Sequence, residues 1–197
     1  MSSQFFGWAK WQMCVNYDII DVTNDEKEGF MRYRLYNADD YDRCCDLLRD
    51  SNMKYSFSEK SDVKLFEDIV ASESFCEDCT FVLEDGDAIC GLVMFTRCRV
   101  RKFDGLLLSI FYIDDEHLSD DNEDLLVGNA VDDVMSRRVK FVCVMGEPDV
   151  FTRFGFTRAR DYGILCPFYV EDDYFMARCE DGFKTRGELS YAKEFFE

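Results

Sequence analysis

The sequence predicts a single domain of the mixed α/β class, in which helices cover a central sheet. Segments with helical spacing of apolar residues alternate with apolar runs of strand length. The chain has 197 residues, which suits one domain, and its hydrophobic content of 47% can fill a sizeable core. The predicted order is strand, two helices, three strands, helix, strand, helix and further strands, which is typical of a layered α/β structure.

The first predicted elements are a strand and two helices. Met31 to Tyr36 alternates in the manner of a strand. Asn37 is a typical N-cap for a helix from Ala38 to Asp50, whose first turn carries acidic residues that the helix dipole favours. Ser61 to Ser72 places its apolar residues on one side, so we expect a second helix there.

Three strands are expected next. Cys79 to Leu83 and Ala88 to Val100 flank the segment Glu84 to Asp87, whose sequence EDGD indicates a hairpin turn. Leu106 to Ile113 is a nearly continuous apolar run, which predicts a strand buried on both faces.

The spacing of apolar residues and the presence of capping residues also predict the remaining elements. They are a helix at Leu125 to Met135, a buried strand at Lys140 to Met145, a short helix at Asp149 to Phe154 with Asp149 as its cap, and strands near Arg158 to Leu165 and Tyr174 to Cys179.

The chain is strongly acidic, with 41 acidic and 23 basic residues and a net charge of −18. Nonspecific binding to a nucleic acid requires basic residues that displace counterions, so we expect no direct contact with nucleic acid. The charge fits either a solvated surface or an acidic face that binds a protein with a basic surface. One such partner would be a protein that itself handles nucleic acid.

Ten cysteines and the lack of targeting signals indicate a reducing, cytoplasmic location. Cys90, Cys143 and Cys166 stand in apolar runs, where free thiols behave as small hydrophobes. Met1 to Lys10 has no signal-peptide pattern, and no apolar run reaches the roughly 18 residues of a membrane span. We therefore expect no membrane association.

Residues 1–29 are expected to form an extension, and residues 30–197 the domain. The extension is rich in large apolar side chains, namely Phe5, Phe6, Trp8, Trp11 and Met13. Such a segment either packs on the domain or forms a contact with a partner or with a second copy in a homodimer.

Near the C-terminal end, residues Gly146 to Phe156 have the sequence GEPDVFTRFGF and Ala159 to Ile164 the sequence ARDYGI. These segments resemble the end of the acyl-CoA domain of the GNAT N-acetyltransferase superfamily. Pro167-Phe168 and Tyr174 to Ala177 are also similar to that group. The resemblance covers roughly Met31 to Phe183 and implies a GNAT-like mixed, mostly antiparallel sheet flanked by helices.

The resemblance also implies where a cofactor would bind. The strand at Leu106 to Ile113 would diverge from the strand at Lys140 to Met145, and acetyl-CoA would fill the V-shaped opening. The pantetheine arm would follow the backbone of the first of these strands, at Leu108, Ser109, Ile110 and Phe111. The diphosphate would lie on amide groups at the start of the next helix.

At the diphosphate position this chain departs from the family pattern. Members of the family have a loop of the form Q/R-x-x-G-x-G/A, whereas Leu118 to Asp124 contains no Gly, Lys or Arg. This acidic loop instead contains Asp120, Asp121, Glu123 and Asp124, each of which would repel a diphosphate. In addition, Phe151 replaces the Tyr whose hydroxyl often protonates the departing thiolate.

Three functional hypotheses follow. The first is a catalytically degenerate GNAT-fold protein with no cofactor, whose acidic loop binds a basic partner or a metal. The second is an active N-acetyltransferase that uses acetyl-CoA through atypical contacts, with Glu84 or Glu147 as the general base. The third is an assembly role for the aromatic residues of the N-terminal extension.

No specific metal site is expected from the sequence. Cys76 to Cys79 is a single C-x-x-C pair, whereas zinc usually takes four ligands. His117 is the one histidine and is interpreted as a surface residue with acidic neighbours. The acidic residues from Asp114 to Asp124 lack the spacing of a calcium loop.

Overall fold

The computed structural model describes residues 20–21, 31–49 and 62–191. The strands are β1 (Ile20–Asp21), β2 (Met31–Leu35), β3 (Thr80–Asp85), β4 (Ala88–Val100), β5 (Phe103–Ile113), β6 (Phe141–Met145), β7 (Thr157–Arg158), β8 (Ile164–Leu165), β9 (Phe175–Cys179) and β10 (Gly187–Ser190). The α-helices are α1 (Tyr41–Arg49), α2 (Asp62–Val70), α3 (Asp120–Glu123), α4 (Asn129–Ser136) and α5 (Pro148–Phe151).

The strands form one sheet in the order β1-β2-β3-β4-β5-β6-β9-β7. Neighbours along this order are antiparallel except for β5 and β6, which are parallel. Strand β10 pairs with the end of β4, through Leu189 and Val100, and runs parallel to β8. The predicted mixed, mostly antiparallel sheet is confirmed.

Both faces of the sheet are covered, and two apolar cores result. One core lies against α1 and α2, and the other lies against α4 and α5. Along β4 the side chains alternate between them: Leu92 and Met94 belong to the first core, Val93 and Phe95 to the second. Because β4 is buried on both faces over its first part, Ala88 to Phe95 is a continuous apolar run, whereas polar and apolar residues alternate from Arg97 to Val100.

The N-terminal half of the fold follows the sequence prediction closely. Asn37 caps the first helical segment by accepting a hydrogen bond from the amide of Asp39, and the Asp40 carboxylate accepts one from the amide of Asn37. This reciprocal capping box satisfies amides that a helix start leaves without an internal partner. The segment begins as a 3-10 turn, Ala38–Asp40, and continues as α1.

The predicted acidic loop is helical over most of its length, which corrects the sequence interpretation. The helix expected at Leu125 to Met135 already begins at Asp120, because the Ser119 hydroxyl caps it by accepting from the amide of Asn122. Acidic residues suit the first turn of a helix. The helix continues from α3 through a π turn, Asp124–Gly128, into α4.

Two further predictions near the C-terminal end were wrong. Asp149 is not the cap of α5, because Pro148 takes the first helical position and Glu147 precedes it without a side-chain capping bond. The strand expected near Arg158 to Leu165 is interrupted by a 3-10 turn, Ala159–Tyr162, which ends at Gly163 with φ of +80°. Only the short strands β7 and β8 remain on either side.

Most of the predicted N-terminal extension, including its aromatic residues, lies outside the described residues. Its described part, β1, pairs with Tyr33 and Arg32 of β2. Among the helices in the described ranges, none combines the length and the apolar character needed to cross a membrane.

Candidate functional site

The sheet opens between β5 and β6. These two strands pair only at Leu106 with Val142 and at Leu107 with Cys143, although β5 continues to Ile113 and β6 to Met145. Each strand is held on its outer side over its length, β5 by β4 and β6 by β9. The two parallel strands therefore diverge after two residue pairs, as the resemblance implied, and the segment Leu108 to Phe111 forms one edge of the opening.

A β-bulge at Ser109 marks the point where β5 turns away. Leu108 pairs with Phe95 and Ile110 with Met94, which leaves Ser109 as the extra residue. The Ser109 hydroxyl donates to the carbonyl oxygen of Leu107 at 3.0 Å, and the buried hydroxyl of Thr96 lies 2.7 Å away. Since the Ser109 proton is already used, Thr96 donates to Ser109, and the bulge is satisfied without solvent.

An aromatic contact joins α5 to β5, one of the two strands beside the opening. Phe151 of α5 is buried and packs edge-to-face on Phe111 of β5, with the ring centroids 6.5 Å apart. Gly146 allows this, because a Cβ atom there would stand 2.2 Å from Cε2 of Phe151. Phe151, the residue for which the resemblance implied a Tyr, is thus buried between α5 and β5.

The start of α3 carries a cluster of three carboxylates around one arginine, here called the Arg153 cluster. The guanidinium of Arg153 binds Asp120 at 2.8 Å, Glu123 at 3.0 Å and Asp124 at 2.5 Å. Its Nη2 atom also donates to the carbonyl oxygen of Asp120 at 3.0 Å. The cluster therefore connects the start of α3 to the turn after α5.

One guanidinium does not balance three carboxylates. Burial raises the pKa of Glu123; Arg153 acts to lower it, but Asp120 and Asp124 act to raise it, and the pKa lies above its ordinary value. Asp121, next to the cluster, is exposed and adds a further negative charge. The amide groups at the start of α3 thus face a net negative environment.

Among the described residues that line the surface depression beside this helix start, none is an unpaired cation. The depression measures about 470 Å³ and is lined in part by Asp124, Asp132, Arg153 and Arg178. Arg153 is held by the cluster, and Arg178 binds Asp132 at 2.7 Å and the carbonyl oxygen of Phe154 at 3.2 Å. A diphosphate in this depression would have to compete with carboxylates for both arginines.

Glu84, one of the two carboxylates considered as a general base, belongs to a separate ion-pair network, here called the Arg34 cluster. Arg34 binds Glu84 at 2.5 Å and both oxygens of Asp40 at 2.6 and 2.7 Å, and Arg43 lies 3.3 Å from each carboxylate. Burial raises the pKa of Glu84, but Arg34, Arg43 and Arg32 together lower it below the ordinary value.

The two base candidates lie on opposite sides of the opening. Glu84 is on β3, which β4 separates from β5. Glu147 directly follows β6 and Gly146 and is half-buried at the open end. Glu147 therefore lies next to the opening, whereas Glu84 lies two strands away from β5 and is ion-paired within the Arg34 cluster.

Sequence reasoning missed the role of Arg153. It belongs to the segment that carries the family resemblance, yet its partners lie 29 to 33 residues earlier in the chain. A separation of that size leaves no local pattern. The one signal in the sequence was the run of acidic residues between Asp120 and Asp124, which indicates that a basic residue from elsewhere in the chain could pair with them.

A second depression of about 450 Å³ lies at the other side of β9 and is acidic as well. Its lining includes Glu171, Asp172 and Glu188, and its one arginine, Arg160, binds Asp172 at 2.5 Å. Tyr169, also in this lining, is 96% exposed. Exposed aromatic rings among carboxylates suit contact with cationic groups.

Comparisons with known proteins give structural matches only, because no family model and no curated protein sequence matches this chain. The GNAT family N-acetyltransferase YhbS from Escherichia coli, solved with CoA, superposes with a TM-score of 0.74 at 20% identity, over 88% of this chain and 96% of that protein. A GNAT family acetyltransferase from Brucella melitensis, solved with acetyl-CoA, gives 0.67 at 13% identity, over 85% and 99%. The ribosomal-protein-S18-alanine N-acetyltransferase from E. coli gives 0.55 at 12% identity, over 80% and 97%.

Proposed function

Because the chain has the fold of the GNAT N-acetyltransferases, we propose that it is a GNAT-fold protein that has lost acetyl transfer from acetyl-CoA and acts by binding a protein with a basic surface. The observation that carries this proposal is the Arg153 cluster at the start of α3, where the family resemblance places the cofactor diphosphate.

At the start of α3, charge repulsion opposes the attraction that the helix dipole exerts on an anion. Two unit charges about 4 Å apart interact by about 1 kcal/mol in water and about 4 kcal/mol at a surface-like dielectric. The helix dipole contributes about 0.3–1 kcal/mol in favour of an anion. Asp120, Asp121, Glu123 and Asp124 supply four negative charges and Arg153 one positive charge. Repulsion therefore outweighs the dipole.

The missing hydroxyl supports the same conclusion more weakly. General acid catalysis contributes about 10²–10⁴-fold to a rate, so Phe151 alone would slow acetyl transfer without abolishing it. The Phe151 ring instead makes an apolar contact with Phe111 of β5. The repulsion of the cofactor diphosphate and the missing general-acid hydroxyl together favour a binding role.

The first test is a calorimetric titration of acetyl-CoA into the full-length protein, up to millimolar concentration. We expect no heat of binding and no thermal stabilisation. Binding in the micromolar range would overturn the proposal, because it would show that the acidic helix start accepts the diphosphate.

A neutralised variant makes the test sharper. It carries Asp120→Asn, Asp121→Asn, Glu123→Gln and Asp124→Asn. We expect this variant to gain measurable acetyl-CoA affinity, because the backbone opening between β5 and β6 is retained. A matched control removes the same charge elsewhere, by Glu171→Gln, Asp172→Asn, Asp173→Asn and Asp181→Asn. The control should stay unable to bind acetyl-CoA.

The binding role is tested separately with a lysine-rich peptide as a probe. We expect the wild-type protein to bind it with an affinity that falls as ionic strength rises. The neutralised variant should bind it more weakly than wild type. Absence of binding at low salt, or an affinity that is independent of salt, would contradict the basic-partner part of the proposal.

An active N-acetyltransferase with atypical cofactor contacts is the second candidate. The retained opening, with Glu147 half-buried at its wide end, favours it. In that case acetyl-CoA would stabilise the wild-type protein, and Leu108→Trp, which fills the opening opposite Val144, would remove the stabilisation. Circular dichroism of the Leu108→Trp variant would establish that it is folded before the comparison is made.

A further inference from the structure

The turn before β3 brings two thiols and a carboxylate together, in a group here called the Cys76 cluster. Sγ of Cys76 lies 2.9 Å from Sγ of Cys79 and 3.1 Å from Oδ1 of Asp78. Sγ of Cys79 lies 3.8 Å from the same Asp78 oxygen. Within the described ranges, this is the group of three or more metal-ligating side chains whose donor atoms converge within 4.8 Å.

Local structure arranges this cluster. Residues Glu77–Cys79 form a 3-10 turn, in which the amide of Cys79 donates to the carbonyl oxygen of Cys76 at 2.9 Å. Cys76 directly precedes the turn and Cys79 ends it, so this backbone hydrogen bond brings the two residues together, and their thiols meet on one side of the turn. The hydroxyl of Thr80 donates to the same carbonyl at 3.0 Å and holds the turn closed.

The surroundings of the cluster resemble those of a metal site with one open position. Both cysteines are buried, whereas the Asp78 side chain is 58% exposed, so water reaches the carboxylate side only. Arg137 donates to the carbonyl oxygen of Asp78 and holds the turn against the end of α4. Three protein ligands with water in the fourth position is an arrangement that zinc adopts in proteins.

The distances are compatible with zinc after a small movement. Zinc–sulfur bonds of about 2.3 Å in a tetrahedral site place two sulfurs about 3.8 Å apart. The two Sγ atoms are 2.9 Å apart, so they would separate by about 0.9 Å through χ1 rotation. Two sulfur ligands favour zinc over magnesium or calcium, which prefer oxygen ligands throughout.

We propose that Cys76, Asp78 and Cys79 form a site for a zinc ion, with a water molecule as the fourth ligand. Binding forms two zinc–sulfur bonds and one zinc–oxygen bond, and releases the two thiol protons to solvent. The site is independent of the opening between β5 and β6 and of the proposed binding role. It also departs from the expectation, based on the single C-x-x-C pair, that the chain has no metal site.

Cobalt(II) serves as the probe, because it replaces zinc in thiolate sites and absorbs light. The full-length protein, reduced with a phosphine, is titrated with cobalt(II) chloride and the sulfur-to-cobalt charge-transfer band is recorded. We expect one equivalent to bind, zinc to displace it, and Cys76→Ser and Cys79→Ser to lose the band. Asp78→Asn changes a side chain that is 58% exposed and should weaken cobalt binding at least about 10-fold.

Cys90→Ser is the matched control, because Cys90 is also a buried thiol but lies outside the cluster. It should leave the band unchanged. The proposal is overturned if the reduced wild type shows no charge-transfer band, or if the band survives both Cys76→Ser and Cys79→Ser. It is also overturned if mass spectrometry finds Cys76 and Cys79 joined in a disulfide that the reductant does not open.

Discussion

The Arg34 cluster and the Arg153 cluster use the same chemical groups in opposite proportions. In the Arg34 cluster, Asp40 and Glu84 share Arg34 and Arg43, with Arg32 3.8 Å from Glu84. In the Arg153 cluster, three carboxylates share one guanidinium. The first is balanced by arginines, and the second keeps a net negative charge.

The two clusters also differ in burial. The side chains of Asp40 and Glu84 are 2% and 7% exposed, whereas those of Asp120 and Asp124 are 91% and 63% exposed. Buried charges must be paired, so the ion pairs of the Arg34 cluster are needed for the stability of the fold. Exposed charges remain available to solvent or to a partner. The number of carboxylates alone therefore says little about which cluster has a function.

The direction of the pKa shifts expresses the same difference. Burial acts to raise the pKa of both Glu84 and Glu123. For Glu84 the neighbouring arginines outweigh burial and lower the pKa. For Glu123 burial raises the pKa, Arg153 lowers it, and the neighbouring carboxylates add to burial, so that the pKa is raised. Neighbouring charge, more than burial, separates the two glutamates.

The largest expected difference in stability between the two clusters appears when the central arginine of each is removed. Arg34→Met leaves two buried carboxylates poorly paired, and we expect a loss of about 3–5 kcal/mol in the free energy of unfolding. Arg153→Met leaves mostly exposed carboxylates and should cost about 1 kcal/mol or less. Urea unfolding at neutral pH measures both.

Acidification provides the control for this pair of variants. The pKa values of Asp40 and Glu84 are lowered in the folded protein, so their stabilisation is present above the unfolded pKa and is lost as pH falls through the folded value. The deficit of Arg34→Met should shrink accordingly in acid. Equal losses for the two arginine variants would contradict the distinction between the clusters.

A smaller effect is expected at His117, which lies between the two clusters. Its ring binds Asp114 at 2.6 Å and Asp85 at 3.3 Å, next to Glu84 in sequence, and its carbonyl oxygen accepts from Asn122 of α3. Burial acts to lower the pKa of His117, but the two aspartates outweigh it and raise the pKa. The stabilisation is complete below the unfolded pKa and is lost as pH rises through the folded pKa.

The measurement is the free energy of unfolding of wild type and His117→Gln at about pH 5.5 and about pH 8.5, on either side of the ordinary histidine pKa. At the lower pH we expect the free energy of unfolding of wild type to exceed that of His117→Gln by about 0.5–1 kcal/mol. This difference between the two proteins should shrink at the higher pH. A difference that grows with pH would mean that the ion pairs of His117 do not form.

The smallest effect is expected at Glu123. Its raised pKa means that ionisation is disfavoured in the folded protein, a cost that is present above the folded pKa and absent below the unfolded one. Glu123→Gln should therefore stabilise the protein at neutral pH by about 0.5 kcal/mol or less. Carboxyl NMR titration should place the pKa of Glu123 above that of Glu84, and the reverse order would refute the comparison.

Local sequence signals determined much of this fold. Asn37, with acidic residues after it, specified a capped helix start because its side chain bonds amides two residues away. The apolar run of β4 was predicted with its observed ends, and the GEPDVFTRFGF segment placed Phe151 beside the opening. These features depend on neighbours within a few residues or on one recognisable segment.

Only the tertiary structure decided which charges meet. Arg153 binds carboxylates about 30 residues away in sequence. Arg34 binds Glu84, which is 50 residues away, and Arg137 donates to the carbonyl oxygen of Asp78, which is 59 residues away. Coulomb energy depends on distance in space and on local dielectric, and neither can be read from spacing along a chain. The sequence by itself therefore determined most of the elements and the fold class, whereas the packing of those elements decided that one acidic group is buried and paired and the other is largely exposed.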